Sequence, residues 1–427
     1  MKRGTTKNRN GLIAALDVGS SKVCCFIAKA EGGARPRVIG IGQQASHGVK
    51  AGAVIDMETT EAAILNAVHA AEQMADERIE RVVVNLSGGY PESSSVGVEV
   101  AIDGHEVGDS DLDRAVARSH EFGSNEFGGA KDQVANGRQL IHAIPTCYSI
   151  DGSRGIRDPR GMCGERLAVS MHFITAAAGA VRNLLNCVER CHLDVAGLVV
   201  SPYASGLSSL VDDETELGVT VIDMGGGTTT MAVFLEGKVI YTDVVPVGGI
   251  HVTNDIARGL ATPVTHAERL KALYGNAAAV SADETETIEV PQVGEEETSR
   301  QQVPRAKLDQ IIRPRLEETF ELVRARLEAS GFEKIAGHRV VLTGGASQLT
   351  GVRELAAAVL DKQVRLGRPS RILGLAEATA GPAYATCAGL LTYAATAEAA
   401  RPRRAEPQSG KPGDLIGRIG FWLREHF

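Results

Sequence analysis

Val340-Val-Leu-Thr-Gly-Gly-Ala-Ser347 (VVLTGGAS) is an apolar run that empties into a pair of glycines ahead of a helical stretch. Such a run reads as a buried strand closed by a tight turn. Two turns of related texture lie upstream. Leu12 to Asp17 (LIAALD) stops at Asp17-Val-Gly-Ser-Ser-Lys22 and is followed by a second strand-like run, Val23 to Ala28. Val219 to Asp223 (VTVID) stops at Asp223-Met-Gly-Gly-Gly-Thr228. It is followed by Met231 to Leu235 and Val239 to Val245, which flank the turn Glu236-Gly237-Lys238. The two strand-turn-strand elements occupy equivalent places in the two halves of the chain, which looks like an internal duplication.

The first two turns can offer successive backbone N–H groups to a phosphate, because Gly allows close approach and positive φ. Gly19, Ser20, Ser21 and Lys22 supply amides, hydroxyls and a charge; Gly225, Gly226, Gly227 and Thr228, with Thr229 beyond, supply a second set. Asp17 and Asp223, one before each turn, are suited to holding water around Mg2+, which keeps several waters in nucleotide sites. Taken singly, each turn also reads as an ordinary Gly-rich hairpin. The chain holds no GxxxxGK[ST], which excludes a P-loop, and GGGTTT lacks the GxGxxG spacing of a dinucleotide fold.

Further out, Thr59 to Ala75 repeats apolar residues at helical spacing and leads into a strand candidate, Val82 to Leu86. From Ser87 to about Arg166, glycines, charges and short alternating stretches such as Val96 to Ile102 suggest a small inserted α+β unit. Ala176 to Arg190 then reads as a helix and Val195 to Val200 as a strand. Val252 to Tyr274 reads as one helical stretch, Thr287 to Val290 as a short strand, Arg305 to Ser330 as a long amphipathic helix and Ala378 to Ala397 as an apolar one.

The chain has 427 residues, with 45 Lys+Arg against 53 Asp+Glu, a net charge of -8. At roughly 150 residues per domain there is room for two or three globular units. With 48 Gly and 23% charged residues the composition is that of a soluble α/β protein. The acidic balance argues against a nucleic-acid binder. No run approaches the ~18 to 20 apolar residues of a bilayer-spanning helix, and the basic start lacks an apolar core, so a cytosolic protein is expected. Seven cysteines, two of them adjacent at Cys24 and Cys25 in an apolar run and the others scattered, point to reduced thiols. Cys187, Cys191 and His192 (NCVERCH) lack a second ligand pair and read as a buried helix face rather than a zinc site.

Three Gly turns in this order, each after an apolar strand, resemble the actin, sugar-kinase and DnaK-type chaperone superfamily. The resemblance tightens to the FtsA family of bacterial cell-division proteins over Leu12 to Ala397. It rests on Ile13 to Lys22, Val219 to Thr229, Gly248 to Ala257 (GGIHVTNDIA), Ile288 to Gly294 (IEVPQVG), Ile311-Ile-Arg-Pro-Arg315, Val340 to Gly351 and Val364-Arg-Leu-Gly367. The resemblance implies an α/β fold: two duplicated ribonuclease-H-like lobes of the actin/DnaK type with ATP and Mg2+ in the cleft between them. The third turn, with Gly344, Gly345 and Ala346, would then face the adenosine, and Gly249, Glu268 and Lys271 would line the nucleoside side. Glu268 and Lys271 also read as a solvated helix pair.

It further implies a division of the chain. Residues 1–10 form a disordered basic start, 11–86 a first lobe, 87–166 an inserted subdomain that receives later division proteins, and 167–247 a second lobe. Residues 248–330 form its smaller subdomain, which binds the tail of the tubulin-like protein FtsZ through Arg305 and Arg315, and 331–397 the adenosine loop and closing helix. Self-association into filaments goes with the superfamily. One departure bears on turnover: efficient relatives place an acidic or amide side chain where this chain has Ser201, a poor base that positions water weakly, so ATP hydrolysis is expected to be weak or absent.

The tail reads without any family. Residues 398–413 are rich in Pro, Arg and Gly and read as a flexible tether. On a helical wheel, Leu415, Ile416, Ile419, Trp422, Leu423 and Phe427 of residues 414–427 fall within one arc of about 140°, with Arg418 and Arg424 at its flanks. Such a helix is suited to lie in the surface of an anionic membrane. The expectation is a peripheral protein on the cytoplasmic face of the cell (inner) membrane at the division site. A scaffold of another membrane machine, similar to the pilus protein PilM, or a small-molecule kinase of the same superfold are the other readings.

Overall fold

The computed structural model describes residues 11–30, 35–127, 137–278, 286–295 and 300–400. Three strands, β1 (Leu12–Val18), β2 (Lys22–Lys29) and β3 (Arg37–Ala45), form an antiparallel meander. A two-residue hairpin, β4 (Val49–Lys50) and β5 (Ala53–Val54), leads to α1 (Met57–Ala75), which Asp56 caps by accepting the Thr59 N–H. Strand β6 (Arg81–Leu86) then runs parallel to β1.

The inserted unit follows: β7 (Glu92–Ala101), α2 (Asp109–Phe127), β8 (Arg138–Ile150), β9 (Ser153–Ile156) and β10 (Arg166–Ala177). Its sheet has the order β7-β10-β8-β9, with α2 against it and Val100, Leu167, Val169 and Phe173 in its own core. The chain returns through α3 (Ala178–Arg190) to β11 (Asp194–Val200), which pairs with β6 and completes a first sheet of order β11-β6-β1-β2-β3.

Helices α4 (Ser201–Ser209) and α5 (Asp212–Leu217) lead to β12 (Val219–Met224), β13 (Thr229–Leu235) and β14 (Lys238–Val245). Next come α6 (Gly249–Gly259), α7 (Val264–Tyr274), a hairpin of β15 (Thr287–Pro291) and β16 (Arg300–Pro304), and α8 (Arg305–Ser330). Strand β17 (Arg339–Thr343), α9 (Val352–Leu360) and β18 (Gln363–Leu366) complete a second sheet of order β14-β13-β12-β17-β18, and α10 (Ala385–Ala400) closes the described chain. The two five-stranded sheets share one plan: a three-strand meander whose first strand takes two further parallel strands on its other side. Asp17 pairs with Cys24 and Asp223 with Thr230, so each aspartate is the last but one residue of its strand. The duplication read from the sequence is present in the strand order.

Burial on both faces explains why β1, β12 and β17 are continuous apolar runs. Leu16, Val84, Ile64 and Val188 fill one side of the first sheet; Ala15, Phe26, Leu390 and Leu391 fill the other. The second sheet buries Ile222, Ile312, Phe320 and Leu355 on one side, and Val221, Phe234 and Leu210 on the other.

Several boundaries differ from the sequence reading. The inserted unit extends past residue 166, because β10 is an inner strand of its four-stranded sheet, hydrogen-bonded to both β7 and β8. Residues 178–200 belong to the first lobe rather than the second, since β11 joins β6 there. Helix α10 packs on β1, β2 and β6, so the closing helix also covers the first sheet. It begins at Ala385 rather than Ala378, because Gly381 and Pro382 hold the preceding residues in a short turn, and it runs to Ala400, past the expected start of the tether. The stretch from Val252 to Tyr274 is two helices broken at Leu260 to Pro263, where Ala261 takes a positive φ and Pro263 starts anew. Cys187 and Cys191 are buried, their sulfurs against Met57 Sδ and Glu61 O, so NCVERCH is a packing face. Residues 1–10, 401–413 and the tail 414–427 lie outside the described residues. Among the described residues no helix is long and apolar enough to cross a membrane.

Two buried histidines join the inserted unit to the lobes. His172 Nδ1 donates to Val239 O on β14 (3.0 Å), which leaves Nε2 to accept from Ser93 Oγ (2.9 Å), and His142 Nε2 accepts the Val200 N–H (3.2 Å). Burial pushes His172 down to about 4 and His142, which also faces His172, to about 3. Both are neutral in the fold and protonate more readily when unfolded, so their contribution is complete above about pH 6.5 and is lost as pH falls toward 4. The expected slope is up to ~1.4 kcal/mol per pH unit for each histidine. His172→Gln should therefore show a shallower loss than the wild type in denaturant melts between pH 6.5 and 4. Buried carboxylates that titrate the other way cancel in that comparison, and equal slopes would refute the assignment.

Candidate functional site

The C-terminal ends of β1 and β12 face each other, and the turns that follow them enclose a cleft of about 510 Å3 between the lobes. In the first turn the Gly19 N–H donates to Lys22 O (3.0 Å), while Ser20 Oγ accepts the Gly52 N–H (3.0 Å) from the β4–β5 hairpin. In the second the Gly225 N–H donates to Thr228 O (2.8 Å), and the first amides of α6, Gly249 and Ile250, donate to Gly225 O and Gly226 O. The turns touch. A Cβ on Gly226 would lie 2.9 Å from Ser21 Cβ, and one on Gly227 would lie 2.5 Å from Ser20 Oγ. Only glycine admits this approach.

The third turn leaves β17 at Gly344, whose φ of 85° favours glycine and whose Cβ would sit 2.3 Å from Asp223 Oδ1. Gly345 is different: the nearest atom to its Cβ would be Ala383 Cβ at 3.8 Å, so a side chain there is admitted by the fold and enters the cleft. On the far wall, Lys271 Nζ on α7 reaches Glu268 Oε2 (2.7 Å), Thr253 Oγ1 (2.7 Å) and Gly249 O (3.1 Å). Lys271 is thus largely buried in a polar cluster, whereas the Glu268 side chain, 56% exposed, stays at its solvent edge.

Asp17 and Asp223 lie deep in this cleft. Burial pushes Asp17 up to about 7; Lys22 opposes the rise and Asp223 adds to it. Burial also raises Asp223, against the hydroxyls of Ser205 and Thr386, which both donate to its Oδ2, and against Lys22. Two carboxylates under this strain favour a nearby cation. Two carboxylates would leave most of an ion's coordination sphere to water, which suits Mg2+. The buried Thr230 Oγ1, which lines the cleft, has no partner.

All the residues expected at the nucleotide and its metal thus line one cavity. Others were missed. Asn85 accepts the Val18 N–H (2.7 Å) on Oδ1 and therefore turns Nδ2 to Ser201 Oγ (3.1 Å), at the start of α4. A lone Asn in the apolar run VVVNL was the available signal. Thr386 and Ser205 carried none.

Arg305 and Arg315 lie elsewhere, ten residues apart on α8, which is about 15 Å along the axis. Both are engaged within the chain: Arg315 pairs with Asp255 and Glu318, and Arg305 with Glu286 (2.9 Å) and Tyr274 O (3.1 Å).

The family model described as cell division protein FtsA matches residues 220–389, and the model of the SHS2 domain inserted in FtsA matches residues 88–175. The cell division protein FtsA of Agrobacterium fabrum is 44% identical over 437 aligned positions, covering 99% of this chain and 96% of that protein. Among solved structures, the PilM-PilN type IV pilus biogenesis complex aligns with a TM-score of 0.63 at 17% identity, over 90% of this chain and 98% of that one. The MamK double helical filament aligns with a TM-score of 0.51 at 14% identity, over 90% and 99%. At these identities the structures speak for the fold alone, which is that of the actin-like ATPases.

Proposed function

The chain belongs to the FtsA family of cell division proteins, and from that premise we propose that it binds ATP with Mg2+ in the cleft. Copies would assemble into filaments, and the protein would tie FtsZ to the cytoplasmic face of the cell membrane at the division site. The convergence of three Gly turns on one cleft, two of them on sheets of the same plan, carries the nucleotide part. Backbone amides of the first two turns are suited to the phosphates, and Asp17 and Asp223 to the waters of the ion. The third turn suits the adenosine, with Glu268 and Lys271 beside it. The ion would screen phosphate charge, while Ser201, a poor base held by Asn85, suits slow turnover. A phosphate-release rate of ~1 s⁻¹ or more would show that another group positions the water.

Gly345→Gln is the test of the adenosine side. The fold admits the new Cβ, so the variant should melt with the wild type yet bind ATP at least tenfold more weakly, ~1.4 kcal/mol. Unchanged affinity in a fluorescent-ATP titration sets that assignment aside.

The FtsZ tail, an acidic and apolar peptide by resemblance, would meet α8 near Arg315 and Arg305, where it has to compete with Asp255, Glu318 and Glu286 for the guanidinium groups. The inserted unit, with its separate core, suits the reception of later division proteins, and Leu415 to Phe427 suit attachment to anionic lipid. MamK, of the same fold, is described as a double helical filament; self-association of this chain is proposed in keeping with that.

A further inference from the structure

Lys22 follows the first phosphate-type turn, and its ammonium, close enough to Asp17 and Asp223 to oppose the rise of both carboxyls, lies over an aromatic ring. Nζ lies 3.6 Å from the centre of the Tyr384 ring. The ring is held on several sides. It stacks on Phe26 of β2 at 6.0 Å between centroids, and its hydroxyl donates to Gln43 Oε1 on β3 (2.6 Å). The turn that carries it, Pro382 to Tyr384, accepts the Gly344 N–H (3.1 Å) and the Thr343 hydroxyl (3.2 Å) at Pro382 O. Two residues on, Thr386 donates to Asp223. The aromatic face that meets Lys22 is thus fixed at the edge of the cleft, in the same short segment as Ala383 and Thr386, which line it.

We propose that Tyr384 is a positioning residue for nucleotide binding, a rest site that holds the Lys22 ammonium in the free cleft and must release it when phosphate arrives. The proposal rests on the reading that the cleft takes a nucleotide. A cation over an aromatic face is attracted by the ring quadrupole, more strongly where water is partly excluded. A phosphate-bearing ligand has to draw Lys22 off the ring, and its apparent affinity falls with the fraction of molecules in which Lys22 is free. A nucleoside without phosphate makes no such demand.

The test titrates the full-length protein with Mg·ATP, Mg·ADP and adenosine. Tyr384→Leu should tighten ATP and ADP at least threefold and leave adenosine unchanged. Tyr384→Phe, which keeps the ring, should stay near the wild type. Tyr384→Gln, which keeps a polar group near Gln43 but no ring, serves as a second variant should the Leu variant fold poorly, and should behave as Leu does. Lys22→Met should weaken ATP, and adding Tyr384→Leu to it should change nothing further. Unchanged ATP affinity in the ring-less variants, equal weakening of ATP and adenosine, or an effect that survives in Lys22→Met would each overturn the proposal. A wild type that binds neither ATP nor adenosine would instead overturn the nucleotide reading, and this inference with it.

Discussion

Trp422→Glu should release the protein from anionic vesicles, lowering membrane partitioning by a hundredfold or more, about 3 kcal/mol. Six apolar side chains of residues 414–427 share one face of a helical wheel, and Trp422 contributes the largest apolar area among them. Burying that face gives several kcal/mol, of which folding the helix takes back a part, so a single tail should bind reversibly. Gly417 and Gly420 lower helix propensity, which suits a segment that folds on the bilayer. Arg418 and Arg424 at the flanks add roughly 1 kcal/mol each on anionic lipid. Filament assembly would then align many tails, and the substitution would act on every one of them. Co-sedimentation of wild type and variant with anionic and neutral vesicles decides the matter. Retention of both on both lipids would mean that the helix docks on the protein's own body.

Gly389→Val should cost about 3 kcal/mol or more, the largest structural effect expected of a single change in the body of the protein. At Gly389, α10 lies directly on α4: an added Cβ would fall 1.7 Å from Ala204 O and 2.3 Å from its carbonyl carbon. Both obstacles are backbone, so no rotamer change can relieve them, and the helices would have to part. Thr386 lies one turn earlier on α10 with its hydroxyl on Asp223, so the floor of the cleft would move as well. Gly97, with nothing within 4 Å of its Cβ position, supplies the control, since Gly97→Ala should stay within about 0.5 kcal/mol. Denaturant unfolding of the two variants reads the contrast; a Gly389→Val protein as stable as the wild type would refute the close crossing.

Local rules made much of this molecule legible. Strands buried on both faces must be apolar throughout, so β1, β12 and β17 stand out in the sequence, and a turn that lets two chain segments touch must be glycine, so Gly226, Gly227 and Gly344 stand out beside them. The Asp before each of the first two turns disclosed the duplication. The break at Pro263 was missed although the rule for it is local, since the residue before a proline leaves the helical region; apolar spacing on both sides carried the reading across it.

The sequence by itself therefore determined the strands that lead into the Gly turns, the turns themselves, the repeat and the tail pattern, because each depends on neighbours a few residues away, whereas β3, β8 and β10 were not read from it. Only the tertiary structure decided which lobe α3, β11 and α10 join, that β10 belongs to the inserted sheet, and that Arg315 is already paired with Asp255. It alone brought Asn85 and Thr386 to the cleft and set Tyr384 against Lys22. A strand buried on both faces carries the same apolar pattern whichever sheet receives it, and a Tyr or Thr in a helix or turn has the same local propensity whether it meets solvent or a carboxylate. Such choices are made by packing between segments tens to hundreds of residues apart, which leaves no periodic trace in either segment.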